Sequence, residues 1–203
     1  MDGTLTTVPS SAFLGRVLGY AQEAEERERR YAAGEMTNQD VAIGDAEHFR
    51  GRSKQEVWTI LEDLPRVAGI RETVEHLHAR EMTVLITTVA WTFVAEYFKE
   101  RYGFDAFSGC RMGEDADGRL TGELLANCDE HDKARFVVDY CDLHGIPLAN
   151  VVAVGDSRSD LPLFGKVGRA IAFNATAAAR EHAHVSYEGT DLRVILKEFF
   201  PVP

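Results

Sequence analysis

One stretch of this sequence decides the fold class: Val151-Val152-Ala153-Val154-Gly155-Asp156-Ser157-Arg158-Ser159-Asp160. Its first four residues form a short apolar run, which is typical of a buried strand. A glycine and two aspartates four residues apart follow directly, where that strand would end. In open α/β sheets, ligands bind just beyond the carboxyl ends of the strands. The stretch therefore predicts a buried strand with a polar site at its end.

Around this stretch, strands and helices alternate from about residue 67 onward. We expect helices over 70–80, 91–102 and 132–144, and strands over 83–87, 151–154 and 170–173. The dipeptide Asp117-Gly118 lies between two short extended segments and indicates a hairpin turn. Alternating strands and helices imply a parallel sheet with right-handed crossovers. The fold class is therefore α/β, with a Rossmann-like parallel core.

A helical segment interrupts this alternation between residues 10 and 66. We expect one helix over 10–33 that ends near Gly34, a second that Thr37 caps, and a third that begins with a capping box of Ser53 and Glu56. The charged run over 25–30 mixes both signs at helical spacing, which is typical of a solvated helix face. We interpret residues 10–66 as an inserted helical cap, and residues 1–9 and 67–203 as the core.

The composition excludes several classes of function. The net charge of −11 argues against binding to nucleic acid and to anionic lipid, since both are bound mainly through Lys and Arg. No apolar run approaches the ~18 residues of a membrane span. Three cysteines without paired spacing favour reduced thiols over a disulfide framework. We therefore expect a cytoplasmic protein with reduced thiols, as a monomer or homodimer.

Four short polar elements stand where a predicted strand ends or a helix begins: Met1–Thr6, Thr87, Lys133 and Gly155–Asp160. Carboxylates behind a strand-Gly turn suit Mg²⁺, which prefers oxygen ligands and needs few from the protein. A lysine among carboxylates is either half of a structural ion pair or the counter-charge for a phosphoryl group. A hydroxyl at a strand end can hydrogen-bond a phosphate oxygen. Each element is common by itself, but all four in this order favour one site.

The ordered set resembles the haloacid dehalogenase superfamily, and specifically its phosphoserine-phosphatase-like branch. That family opens with a strand and Asp-x-Asp-Gly-Thr, of which this chain has Met1-Asp2-Gly3-Thr4. A small helical cap, a strand ending in Thr, a hairpin region, a lysine and Gly-Asp-x-x-x-Asp follow in the same order. The resemblance implies a magnesium-dependent phosphatase that hydrolyses a small phosphomonoester through an aspartyl-phosphate intermediate.

The resemblance also implies a role for each site residue. Asp2 would protonate the leaving oxygen and then activate the water. Asp156 would hold Mg²⁺ with help from the Asp2 backbone carbonyl, and Asp160 would orient Lys133 or a metal-bound water. Thr87 and Lys133 would stabilise the transferring phosphoryl group. The expected sets are catalytic Asp2, Thr87, Lys133 and Asp160; substrate-binding Thr87, Thr88, Lys133 and Ser159; and metal-binding Asp2, Asp156 and Asp160.

The sequence departs from the family pattern at its start. The nucleophilic Asp is expected immediately before Met1, and the strand that leads to it is expected between the strands ending at Thr87 and Val154. That strand would bury about five apolar side chains, worth roughly 10 kcal/mol at ~1.5–3 kcal/mol each. We expect the 203-residue chain as written to have little phosphatase activity.

A second departure concerns the substrate. Phosphoserine phosphatases bind the serine head group with a cap Glu and a cap Arg, and these positions fall near Pro9 and Asp45. Arg50 and Arg52 are close by but out of register, and Ser159 stands where the family usually has Asn. The branch name therefore does not assign phosphoserine as the substrate. Two alternatives stay open: an inactive protein that binds a phosphorylated ligand or a partner, and a phosphomutase.

Overall fold

The computed structural model describes residues 1–199, so residues 200–203 of the predicted core lie outside it. The α-helices are α1 Ser10–Leu18, α2 Ala21–Ala32, α3 Asn38–Ala46, α4 Lys54–Leu61, α5 Ile70–His78, α6 Thr92–Tyr102, α7 Glu130–His144, α8 Leu161–Phe164 and α9 Ala177–His182. The strands are β1 Leu85–Ile86, β2 Ala106–Phe107, β3 Arg111–Glu114, β4 Leu120–Ala126, β5 Val152–Gly155, β6 Arg169–Phe173 and β7 Val185–Tyr187. The predicted α/β class is confirmed.

The first predicted helix, over 10–33, is wrong as a single element. Gly19 adopts φ +90°, its N–H bonds to the carbonyl of Gly15, and the chain reverses before α2 begins. A Cβ at Gly15 would lie 2.6 Å from the Cβ of Ala24, so the two helices pack closely where Gly15 has no side chain. The result is a helical hairpin in place of one long helix.

The two predicted N-terminal caps of this segment are confirmed. The Thr37 side chain accepts from the backbone N–H of Asp40, and the Ser53 side chain accepts from that of Glu56. In both cases the acidic side chain bonds back to the N-cap backbone, which completes a capping box. These short-range pairs set where α3 and α4 begin.

The parallel strands form two small sheets. β1 pairs with β2, and β5 pairs with β6, which pairs in turn with β7, all in parallel register. The predicted hairpin is confirmed as the antiparallel pair of β3 and β4. β2 and β7, at two and three residues, were not expected from the sequence, because their apolar runs are too short to show a period.

An inter-strand cavity of about 400 Å³ separates the two parallel sheets. One wall consists of residues 83–87 and the opposite wall of residues 151–154, with Met1 between them. Within residues 1–199, β1 has a strand partner on one side only, and so has β5. Each of these strands therefore turns an unpaired edge, with its free N–H and C=O groups, toward the same cavity.

The helical segment 10–66 contacts the core at several places. The indole N–H of Trp58 in α4 donates to the carbonyl of Phe93 in α6, at 2.8 Å. Gly51 and Arg52 exchange backbone hydrogen bonds with Leu120 at the start of β4. Between these contacts, α1, α2 and α3 lie over the ends of the parallel strands. Within the described residues, no helix is long and apolar enough to cross a membrane.

Candidate active site

A cleft of about 500 Å³ lies between the strand ends and the helical segment. Five of the predicted site residues line it: Asp2, Thr88, Lys133, Asp156 and Ser159. Thr87 and Asp160 line the inter-strand cavity instead, and Met1 lines both spaces. The strand ends thus bring to one cleft residues as far apart in the sequence as Asp2 and Ser159.

Asp156 lies directly after β5, against the loop that opens the chain. Its Oδ1 accepts from the Thr4 hydroxyl at 3.1 Å. Gly3 adopts φ +74°, and a Cβ there would lie 2.2 Å from Asp156 Oδ2, so only glycine fits beside this carboxylate. Burial and the neighbouring Asp160 raise the pKa of Asp156 to about 6. A half-buried carboxylate with raised pKa lacks full compensation of its charge, which a bound cation would supply.

Lys133 and Asp160 form a buried ion pair. Lys133 Nζ lies 2.6 Å from Asp160 Oδ1 and 3.0 Å from Ser159 Oγ. Lys133 is 3% exposed and Asp160 is 6% exposed. Burial opposes ionisation of Asp160, but Lys133 and the loop N–H groups hold its pKa below the ordinary value. Two of the three ammonium donors of Lys133 are used, which leaves one for a ligand.

Both carboxylate oxygens of Asp160 are engaged. Oδ1 accepts from Lys133, while Oδ2 accepts the backbone N–H groups of Asp156 at 2.9 Å and Ser157 at 3.1 Å. This carboxylate therefore shapes the loop after β5 and orients Lys133. Of the two aspartates that follow the strand, Asp156 is the one that faces the cleft.

The two threonines after β1 face different spaces. The Thr87 hydroxyl bonds to Ser108 Oγ at 2.9 Å and donates to the Lys133 carbonyl at 3.2 Å. The Thr88 hydroxyl accepts from the Ala90 N–H at 3.1 Å, and its own hydrogen remains available to donate. Thr88 also lines the cleft, whereas Thr87 does not. Of the two hydroxyls, that of Thr88 is therefore the one with a hydrogen left to donate to a ligand in the cleft.

Asp2 is held at the cleft by two hydroxyls. Thr6 Oγ1 donates to its Oδ1 at 3.3 Å, and Ser10 Oγ at the start of α1 donates to its Oδ2 at 2.7 Å. These bonds fix the orientation of the carboxylate at the junction of the core and the helical segment. A carboxylate held in this way can move a proton to or from a ligand in the cleft.

Helix α2 contributes residues that the sequence reading missed. Within the charged run 25–30, Glu25, Glu26 and Arg29 are exposed as expected, but Glu28 turns inward and lines the cleft. Burial raises the pKa of Glu28 to about 7, although a hydrogen bond from Ser11 lowers it. The mixed charges of the run predicted a solvated face. Only the helical spacing of residues 24, 28 and 31, which places them on one side of α2, could have indicated that Glu28 points inward.

Arg158 links the loop after β5 to helix α2. Its guanidinium carbon lies 4.2 Å from the centroid of the Tyr31 ring, and its Nη2 donates to the Tyr31 carbonyl at 3.0 Å. Its Nη1 donates to Glu130 at 3.3 Å. This cation–π contact and these hydrogen bonds hold the helical segment over the strand ends.

Asp45, where the cap Arg of phosphoserine phosphatases was expected to fall, is committed to another role. It is 2% exposed, and its Oδ1 lies 2.6 Å from Arg27 Nη2 in a buried ion pair. An aspartate in this pair cannot bind the carboxylate of a substrate, since like charges repel. Where phosphoserine phosphatases have a cap Arg, this cleft therefore has an aspartate that is already paired with Arg27.

Known proteins resemble this chain in sequence and in fold. The sequence model of the haloacid dehalogenase-like hydrolases matches residues 1–165. The chain belongs to this family.

Its relatives within the haloacid dehalogenase-like hydrolases include phosphoserine phosphatases. That of Albidiferax ferrireducens is 27% identical over 99% of this chain and 87% of its own. That of Methanocaldococcus jannaschii is 26% identical over 97% of this chain and 93% of its own.

Solved structures of phosphoserine phosphatases share the fold. A substrate-bound complex superposes with a TM-score of 0.84 at 25% identity, covering 98% of this chain and 94% of the other. An analogue of a phospho-aspartyl intermediate gives a TM-score of 0.83 at 25% identity, covering 98% and 95%. The predicted resemblance to the phosphoserine-phosphatase-like branch is confirmed, and with it the class of phosphoric monoester hydrolase.

Proposed function

We propose that this chain is a magnesium-dependent phosphatase that hydrolyses a small phosphomonoester through an aspartyl-phosphate. The observation that carries the proposal is the convergence of Asp2, Thr88, Lys133 and Asp156 on one cleft. Preorganised charges and donors around a phosphoryl group provide most of the catalysis in phosphoryl transfer.

The reaction has two steps, transfer of the phosphoryl group to the nucleophile and hydrolysis of the intermediate, and residues of this chain act in both. In the first, the phosphoryl group leaves its ester oxygen for the nucleophilic carboxylate, while Asp2 gives a proton to the departing alcohol. In the second, Asp2 takes a proton from the water that attacks phosphorus, and the bond from phosphorus to the nucleophilic carboxylate breaks, which releases inorganic phosphate and the free carboxylate. The free hydrogen of Thr88 and the third donor of Lys133 hold the phosphoryl oxygens throughout.

The residues around Asp156 fit a magnesium ion. Asp156 offers a half-buried carboxylate with raised pKa and one hydrogen bond, and the Gly3 backbone passes directly beside it. One or two carboxylates are enough for Mg²⁺, which keeps several waters and takes the rest from substrate phosphate. The ion would neutralise charge on the phosphoryl oxygens. Asp160, with both oxygens engaged, would act by holding Lys133 and this loop.

The inter-strand cavity supports the position proposed for the nucleophile. A strand that precedes Met1 would run between β1 and β5 and pair with both unpaired edges. Its last residue would stand two positions before Asp2 and directly before Met1, which lines both the inter-strand cavity and the cleft. An Asp at that position would therefore share the cleft with Asp2.

We also propose that residues 10–66 act as a lid over the cleft. The contacts of Arg158 with Tyr31 describe its closed state, in which water is excluded from the phosphoryl group. The lid would open by releasing this bridge while α4 stays packed on α6.

Asp156→Asn is expected to weaken magnesium binding by at least tenfold, because the amide removes the charge that compensates the cation. Calorimetric titration of Mg²⁺ into the 203-residue chain measures this. Asp139→Asn, which neutralises an exposed aspartate on α7, is the matched control and should leave the affinity unchanged. Equal affinities of Asp156→Asn and the parent chain would contradict the metal assignment.

Thr88→Val is expected to weaken the binding of inorganic phosphate by about tenfold, the loss of one hydrogen bond to a charged group. Thr87→Val is the matched control, because it makes the same substitution at the adjacent residue. It should alter phosphate affinity little, since the Thr87 hydroxyl bonds within the protein. Titration of phosphate in the presence of Mg²⁺ compares the two variants. A larger loss in Thr87→Val would reverse the roles assigned to these hydroxyls.

A further inference from the structure

The end of the cleft beneath α1 and α2 holds a carboxylate with no cationic partner. Glu28 lines the cleft and accepts a hydrogen bond from the Ser11 hydroxyl, and within residues 1–199 it forms no ion pair. Ser10, which precedes Ser11 in the chain, donates to Asp2, so Glu28 lies on the same side of the cleft as the residue that would protonate the leaving group. Glu28 is half-buried, and a charge withdrawn from water without a charged partner is unfavourable.

A second polar group near Glu28 also lacks a partner. The Tyr31 hydroxyl, one helical turn further along α2, is buried and accepts or donates no hydrogen bond within the described residues. Tyr31 lines the same cleft. Burial raises the pKa of Glu28 to about 7, as expected for a carboxylate whose charge is uncompensated. Both unpaired groups face the space that the alcohol part of a phosphomonoester would fill.

The basic residues of the cleft leave no cation at this end. Among the described lining residues these are Lys133 and Arg158. Lys133 is bonded to Asp160 and Ser159 on the phosphoryl side. Arg158 stacks on Tyr31 and uses both terminal nitrogens on Glu130 and the Tyr31 carbonyl, although its buried Nε has no partner. A carboxylate on the leaving group would stand beside Glu28 without compensation.

Resting on the proposed phosphatase function, we propose that Glu28 selects a phosphomonoester whose leaving alcohol carries an ammonium group and no carboxylate, that is, the phosphate ester of a small amino alcohol. The ammonium group pairs with the Glu28 carboxylate. The Tyr31 hydroxyl completes its hydrogen bonds. The phosphoryl group then lies between Thr88, Lys133 and Asp156.

Three esters that differ at one point each test this assignment. Phosphoethanolamine has the ammonium group, 2-hydroxyethyl phosphate replaces it with a neutral hydroxyl, and phosphoserine adds a carboxylate. Their affinities for the 203-residue chain are measured by calorimetry with Mg²⁺ present, beside inorganic phosphate. Phosphoethanolamine is expected to bind at least tenfold more tightly than either of the other two esters.

Glu28→Gln is expected to abolish this preference while the affinity for inorganic phosphate stays unchanged. Glu23→Gln, which removes the same charge from the exposed face of α2, is the matched control and should keep the preference. Thermal unfolding of each variant confirms that it is folded. The ratio of kcat/KM for the same esters provides a second readout on a chain extended by an upstream strand.

Equal affinities for phosphoethanolamine and its neutral analogue would overturn the proposal. So would tighter binding of phosphoserine, which would assign a substrate carboxylate to the unpaired Nε of Arg158. Failure of inorganic phosphate to bind would overturn the phosphatase function itself and this proposal with it. The phosphate titration therefore distinguishes the two failures.

Discussion

Turnover of an aryl phosphate is expected to rise by several orders of magnitude when a short apolar strand ending in Asp is added before Met1. The strand would pair with β1 and β5 across the inter-strand cavity and place the nucleophile two residues before Asp2. Asp2 cannot take its place, because the position of the attacking group matters steeply and a displacement of ~1 Å already costs about a hundredfold.

The extension is also expected to stabilise the fold. Burial of about five apolar side chains contributes roughly 10 kcal/mol before the cost of ordering the added residues. The two effects separate in a control in which the added strand ends in Asn. That chain should keep the gain in the free energy of unfolding and lose the gain in turnover. Ordinary enzyme rates in the chain without the extension, independent of Asp2, would contradict the mechanism.

Lys133→Met is expected to destabilise the fold by about 3–5 kcal/mol, since it leaves the Asp160 carboxylate buried without its counter-charge. It should also abolish measurable phosphate binding, because it removes the cation that faces the phosphoryl oxygens. Denaturant unfolding and phosphate titration measure the two losses.

Lys54→Met is the matched control for this variant. Lys54 Nζ lies 3.2 Å from Glu96, and the two side chains are 33% and 31% exposed. An ion pair so accessible to solvent is worth at most about 1 kcal/mol, and phosphate binding should not change. Equal losses of stability in the two variants would show that Lys133 does not carry a buried charge pair.

Local signals in the sequence were sufficient for much of the fold. Capping boxes at Thr37 and Ser53 predicted two helix starts, and Asp117-Gly118 predicted the hairpin. These signals succeed because each depends on residues within a few positions of one another. The prediction of one helix over 10–33 was wrong because it also relied on local signals. Gly19 lies inside a strongly helical stretch, and only the packing of α1 on α2 makes the chain reverse there.

Which residues meet near the strand ends could be predicted from residue types and their order, whereas the directions of their side chains could not. The aspartates after β5, Lys133 and the threonines after β1 were all predicted from the sequence. The Thr87 hydroxyl is occupied by Ser108 and by the Lys133 carbonyl, which leaves Thr88 to face the cleft. Loop N–H groups occupy Asp160, which leaves Asp156 with oxygens available to a ligand. Neighbouring residues at a strand end point to opposite sides, so a shift of one position changes the space that a side chain enters.

By itself, the sequence determined the fold class, the family and the set of residues from which a phosphatase site could be built, because each of these rests on short motifs and their order. The tertiary structure alone decided that Glu28 turns into the cleft and that Asp45 is tied to Arg27. The inward position of Glu28 follows from the packing of α2 against α1 and the strand ends. Contacts between segments distant in sequence leave no local pattern, so they emerge only when the chain is folded.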